Sequence, residues 1–183
     1  ASVKVFDRSI YRLRRLQNDL GSRVWTSVIQ PNELGKALKN ADVAIGAVRS
    51  EDGRTPMVVS EEMVKEMKSG SVIVDISIDR GGCFETSEVT THTDPVYKRY
   101  GVLHYCVPNI ASRVPRTAST ALSNIFGPML LHMGDVGGFE ELIKRDLGLR
   151  HGVYLYNGHV TSAILGEAFK LPFKDLDILL AAF

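Results

Sequence analysis

The residues best suited to chemistry lie in one run, Val72-Ile73-Val74-Asp75-Ile76-Ser77-Ile78-Asp79-Arg80-Gly81-Gly82, where an apolar strand delivers the carboxylate of Asp79 to a double-glycine turn. β-branched residues on both faces of the run predict a parallel strand covered on both sides. The C-terminal ends of such strands are where open α/β sheets bind ligands. Gly81 and Gly82 lack a Cβ, so the backbone can turn sharply there and a flat ligand can approach it closely. Asp79 then stands at the rim of a crevice, where a carboxylate can handle protons or charge. Taken alone, the same residues also read as a turn aspartate ahead of a flexible Gly-Gly.

Asp7 is the second candidate. It ends a short apolar strand, Val3 to Phe6. An acidic residue ending the second strand of a Rossmann unit accepts hydrogen bonds from the adenosine ribose hydroxyls. Such a carboxylate repels a 2′-phosphate and so favours NAD over NADP, with neighbouring Arg8 softening the repulsion. A strand-end turn aspartate is the competing reading. The fingerprint Gly-x-Gly-x-x-Gly that precedes such a residue is nowhere in the sequence. The expectation is that the first strand and its phosphate-binding turn lie upstream of residue 1, so that the chain begins in mid-fold.

Other reactive side chains carry less. Cys83 beside the glycines reads as a small buried thiol. His92 and Asp94 lack a third ligand nearby, so no metal is expected. His92, His104, His132, His151 and His159 read as structural or exposed. No nucleic-acid motif or lipidation signal is present.

Periodicity supplies the elements that must position these groups. Ser9 caps a helix with Ile10, Leu13 and Leu16 inward, which Gly21 stops. Val24 to Ile29 predicts a strand and Glu33 to Asn40 a helix burying Leu34, Ala37 and Leu38. Asp42 to Val48 is a third strand, followed by a polar loop through Asp52-Gly53. Ser60 caps a helix with Met63, Val64 and Met67 inward, and Gly70 ends it before the Val72 strand. Val102 to Val107 is a further strand, closed by Pro108-Asn109. The alternation predicts an α/β fold with a doubly wound parallel sheet of Rossmann type, lacking its first strand. Thr117 or Ser119 then caps a long helix whose Leu122, Ile125, Phe126, Met129, Leu130 and Met133 recur at core spacing. Glu140 to Leu147 and Thr161 to Lys170 are shorter helices, the latter in a tail from Gly152 to Phe183.

At 183 residues, 44% hydrophobic and 23% charged, the chain can bury one real core but not two full-sized domains. A net charge of +1 gives no global attraction to nucleic acid or to an anionic membrane. No long apolar span or signal peptide is visible, and two cysteines make no secreted disulfide framework. A cytoplasmic setting follows as the expectation.

Four stretches taken together carry a family resemblance: Val74 to Ser87, Thr90-Thr91-His92-x-x-Pro95, His104-Tyr105-Cys106-Val107-Pro108-Asn109 and Val114-Pro115-Arg116-Thr117-Ala118-Ser119. With Val5-Phe6-Asp7, Ala41-Asp42-x-x-Ile45-Gly46-Ala47-Val48 and Met67-Lys68-x-Gly70, they closely resemble the alanine dehydrogenases in order along nearly the whole chain. The related α subunit of proton-translocating transhydrogenase is similar but typically differs after the double glycine. It ranks second, and a non-catalytic, truncated NAD-binding module third.

The resemblance implies reversible, NAD-dependent oxidative deamination of L-alanine to pyruvate and ammonia. It implies a C-terminal portion, inactive alone, with residues 1–118 as a partial NAD-binding Rossmann domain. Residues 119–134 would be a linking helix, and 135–183 the C-terminal part of a substrate domain. Asp79 matches the family's catalytic aspartate beside the nicotinamide. Asp7 and Arg12 match its adenosine-ribose contacts, although Arg12 also reads as one of a solvated row with Arg8, Arg14 and Arg15. Val48, Arg49, Ile76, Ser77, Ile78, Asp79, Val107, Pro108, Asn109 and Ile110 match the segments lining the cofactor. Arg80, Glu88 and Arg49 depart from the residues usual at those positions. The family's substrate-binding arginine and lysine and its catalytic histidine match no residue here. A homo-oligomer, with no nucleic-acid or membrane partner, is expected.

Overall fold

The structure, a computed structural model, describes residues 1–21, 24–49 and 53–181. Asp52, in the loop expected through Asp52-Gly53, and the last two residues of the tail lie outside them. The chain forms two compact units, Ala1–Ile110 and Ala111–Phe183.

The first unit alternates strand and helix: β1 (Lys4–Asp7), α1 (Ile10–Leu20), β2 (Trp25–Val28), α2 (Pro31–Asn40), β3 (Val43–Gly46), α3 (Glu61–Lys65) and β4 (Val72–Asp75). A 3-10 turn (Ile76–Arg80) follows, then β5 (Val96–Arg99) and β6 (Val102–Tyr105). Local chemistry sets the boundaries. The Ser9 hydroxyl accepts the Arg12 N–H at 3.4 Å to cap α1, which Gly21 closes in the left-handed region at φ 58°. Pro31 at the first position starts α2 two residues before Glu33, because its fixed φ suits that site and its missing N–H costs nothing there. Ser60 caps α3 through the Met63 N–H.

The strands form two sheets. β1 and β2 pair in parallel, and separately β3, β4, β6 and β5 line up in that order. The ladders β3–β4 and β4–β6 are parallel, as expected, but β5 runs antiparallel to β6, so the larger sheet is mixed. This is a Rossmann-like α/β arrangement. β5 and β6 are joined across Tyr100-Gly101, both with positive φ (53° and 79°), the conformation that suits a two-residue hairpin.

One face of the larger sheet is buried. Ala44 and Ile73 pack there with Leu34 and Leu38 of α2, Val64 of α3, Met67, Phe84 and Val102, and Phe6 of β1 and Ile29 join the same core. On the other face Val43 and Ile45 remain 55% and 65% exposed. Cover on both sides of the strands, as the apolar runs suggest, is therefore not complete. In α1, Leu13 is buried as expected, whereas Ile10, in the first turn, is exposed.

The second unit contains α4 (Pro115–Asp135), α5 (Phe139–Arg145), α6 (Leu147–Arg150), a hairpin of β7 (Leu155–Tyr156) and β8 (His159–Val160), α7 (Ala163–Phe169) and α8 (Leu176–Ala181). Ile143, Tyr156, Leu176 and Leu179 make its core. Arg150 ties α6 to α8 through Asp177 at 2.9 Å and also donates to the Ile143 and Lys144 carbonyls. α4 begins at Pro115 rather than at a Thr117 or Ser119 cap, again because proline fits the first helical position. The expected core packing along α4 is not found. No residue of the helix is buried, and Leu122, Ile125, Phe126 and Leu130 are exposed.

Candidate active site

The parallel strands β3, β4 and β6 all end on the same side, and that is where the anticipated ligand segments meet. β4 stops at Asp75, four residues sooner than the apolar alternation suggests. The Asp75 carboxylate accepts the Ser77 N–H at 3.0 Å, which curls Ile76–Arg80 into a 3-10 turn. Asp79 is therefore presented by a turn, not by a strand end.

Two hydrogen bonds join the three strand ends. Val48, just beyond β3, donates its N–H to the Ser77 hydroxyl at 2.8 Å. Asn109, beyond β6, donates its N–H to Asp79 Oδ1 at 2.8 Å and holds a left-handed φ of 53°. The side chains of Ser77, Ile78 and Val107 are buried, while Ile76, Asp79, Asn109 and Arg49 are exposed, with Pro108 and Ile110 between. Among the described residues, the exposed groups here are Asp79, Ile76, Asn109 and Arg49.

The double-glycine loop is held from two sides. The Thr55 N–H donates to the Arg80 carbonyl at 2.9 Å, and the Val58 N–H donates to the Cys83 carbonyl at 2.9 Å. Gly81 and Gly82 have φ of 97° and 77°. A Cβ on Gly82 would lie 2.7 Å from Asp75 Oδ2, so glycine is required there by space as well as by backbone angle.

Asp75, 1% exposed, was not singled out by the sequence. Besides Ser77 it accepts from the Cys83 N–H at 2.9 Å, the Phe84 N–H at 3.4 Å, the Ser87 hydroxyl at 2.7 Å and the Cys83 thiol at 3.7 Å. The available signal was a lone acid in the middle of an apolar run, which burial makes costly unless donors surround it. Burial and the charge of Asp75 push the Cys83 thiol up to about 12, so it stays protonated and is no nucleophile at neutral pH. Burial likewise raises Cys106. Among the described residues no group of three or more His, Cys, Asp or Glu could hold a metal ion. His104 is fully buried and the other four histidines are exposed.

Asp7 and Arg12 belong to the smaller sheet and its helix. The Ser9 N–H binds Asp7 Oδ1 at 2.7 Å and leaves the other oxygen without a partner among the described residues. Both residues line a depression of about 240 Å³ together with Val5, Leu13, Arg15 and Leu16.

A family model described as alanine dehydrogenase/PNT, C-terminal domain, matches residues 1–163. Alanine dehydrogenase 2 of Staphylococcus aureus (strain USA300) is 40% identical over 178 residues, covering 97% of this chain and 48% of that protein. The chain thus spans about half the length of the curated relatives it matches. Among solved structures, an L-alanine dehydrogenase superposes with a TM-score of 0.83 at 36% identity, over 93% of this chain and 46% of the other. A transhydrogenase from Sinorhizobium meliloti superposes with a TM-score of 0.67 at 24% identity, over 89% and 43%, a likeness of fold alone.

Proposed function

We propose, from the premise that this chain belongs to the alanine dehydrogenase/PNT family through its C-terminal domain, that it serves NAD-dependent, reversible oxidative deamination of L-alanine to pyruvate and ammonia. It acts as the C-terminal part of that enzyme and is inactive by itself. The observation that carries the reading is Asp79, whose exposed carboxylate is held through Oδ1 by the Asn109 N–H beyond the C-terminal ends of the parallel strands β4 and β6, where such sheets bind ligands. Its other oxygen accepts no hydrogen bond among the described residues. The 40% identity to proteins called alanine dehydrogenase favours this substrate over a second nicotinamide nucleotide.

The residues present fit NAD. Asp7 keeps one carboxylate oxygen free to accept from a ribose diol, and Arg12 lines the same depression. Val48, Arg49, the turn 76–79 and the segment 107–110 border the nicotinamide side. When bound, NAD supplies the hydride acceptor. Asp79 orients the water or ammonia and takes up or returns a proton at its free oxygen. The Asn109 and Val48 amides keep the strand ends in register while that happens. The setting is cytoplasmic and the assembly a homo-oligomer. Among the described residues no helix is long and apolar enough to cross a membrane.

In the intact protein, Asp79→Asn is expected to lower alanine turnover by about 100-fold or more, while NADH binding by titration changes little. This chain alone, mixed with pyruvate, ammonia and NADH, should oxidise no NADH above background. Normal turnover by the variant, or activity only between two nicotinamide nucleotides, would remove the basis of the reading.

A further inference from the structure

Asp75 belongs to none of the contacts assigned above to cofactor or reactant, yet it accepts five hydrogen bonds among the described residues. Its five donors come from the head of the 3-10 turn (Ser77), from the loop after the double glycine (Cys83, Phe84) and from Ser87. Among the described residues its charge is met by N–H, O–H and S–H groups and by no lysine or arginine, an anion held in a nest of dipoles. The contacts close into a ring. Asp75 holds the turn through Ser77, and the turn carries Asp79. Asp79 holds Asn109, which follows β6 and Cys106. The Cys106 thiol donates to Ser87 Oγ at 3.6 Å, and the Ser87 hydroxyl returns to Asp75.

We propose that Asp75 is a positioning residue for Asp79: its buried carboxylate gathers the 3-10 turn, the Gly81–Ser87 loop and the end of β6 into one frame that sets where the Asp79 oxygens stand. This rests on the reading of Asp79 given under Proposed function. An asparagine cannot do the same work, since it offers one acceptor oxygen to donors that now share two, and its own NH₂ would face N–H groups. Displacing a reacting group by about 1 Å is enough to slow chemistry, while a cofactor held also at Asp7 and Arg12 loses little affinity.

The test uses the intact protein. Asp75→Asn is expected to lower kcat by about tenfold while the Kd for NADH stays within about threefold. In an Asp79→Asn background the same change should cost nothing further in kcat, because the group it positions is gone. Amide exchange at Asn109 should speed up in Asp75→Asn. Ser87→Ala, which removes one side-chain donor and leaves the backbone donors, should shift kcat and exchange the same way by a smaller factor, and it decides the matter if Asp75→Asn does not fold. An unchanged kcat, additive losses in the double variant, or NADH affinity falling in step with kcat would each overturn the proposal. If Asp79→Asn retains full turnover, the functional reading of Asp79 fails, while Asn109 exchange still decides whether Asp75 sets its place.

Discussion

Thr86 and His104 show how closely single residues are specified beneath the site. His104 is fully buried, with Nε2 at 2.8 Å from Thr86 Oγ1 and Nδ1 at 3.1 Å from the Val102 carbonyl. A carbonyl can only accept, so Nδ1 carries the proton and, in the neutral ring, Nε2 accepts from the threonine hydroxyl. The Tyr97 ring stacks on the imidazole at 4.9 Å and sends its own hydroxyl to the Thr86 carbonyl. Burial lowers the His104 pKa below its ordinary value. The unfolded chain therefore takes up this proton first as pH falls, so the stability that depends on a neutral His104 is complete above about pH 6.5 and is lost as pH drops through the folded value. Urea midpoints for the protein should hold steady from about pH 8 to 7 and decline below about 6.5. In His104→Gln, stability at neutral pH should fall by about 1–3 kcal/mol, and the part of the acid slope due to this histidine should vanish. A variant with the same slope as the parent would mean that His104 does not govern it.

At the scale of elements, the site depends on a strand that stops early and a loop that returns against it. Gly82 is where the two touch, at a φ of 77° with Asp75 Oδ2 only 2.7 Å from where a Cβ would stand. Gly70 has a similar φ of 86° but open space around it. Gly70→Ala should therefore cost about 1 kcal/mol of backbone strain, and Gly82→Ala about 3 kcal/mol, because the carboxylate or the loop must also move. Equal losses in thermal melts of the two variants would show that the Asp75 contact adds nothing. The early stop of β4 was not legible in the apolar pattern, since Ile76 and Ile78 continue the alternation of a strand. What ends it is a side chain, Asp75 bonding the Ser77 N–H, and the signal was the Asp-x-Ser spacing rather than hydropathy. The pattern of the sequence hides β5 for a related reason. Its turn uses Tyr100-Gly101 where Asn-Gly would announce a hairpin, and Tyr100 stays there with its ring near the charges of Lys65 and Arg99 and its hydroxyl bonded to Glu61. The Ser9 and Ser60 caps were readable, because such caps follow local rules, whereas Val48 and Asn109 were assigned to the site only through the family resemblance.

At the scale of the whole molecule, the separation of β1–β2 from β3–β4–β6–β5 is the feature with the largest consequence. Phe6 on β1 and Ala44 on β3 serve one core, yet neither strand pairs with the other, so each has an edge without a strand partner among the described residues. Beside those edges Val43 and Ile45 are exposed, and in the second unit so are Leu122, Ile125, Phe126 and Leu130. Helical spacing alone read α4 as core because periodicity marks which residues are apolar, not what covers them. Open edges next to apolar faces template pairing with another chain and bind apolar probes. The isolated chain should therefore self-associate with rising concentration in sedimentation velocity and enhance the fluorescence of an apolar dye. Charge placed on the exposed face tests the cause: Ile45→Lys should reduce both association and dye binding, whereas a core change such as Ile73→Ala should destabilise the fold by about 2–4 kcal/mol and increase them. A chain that sediments as a monomer at all concentrations, binds no dye and melts cooperatively would mean that its edges and apolar faces are closed in solution by contacts within the chain itself.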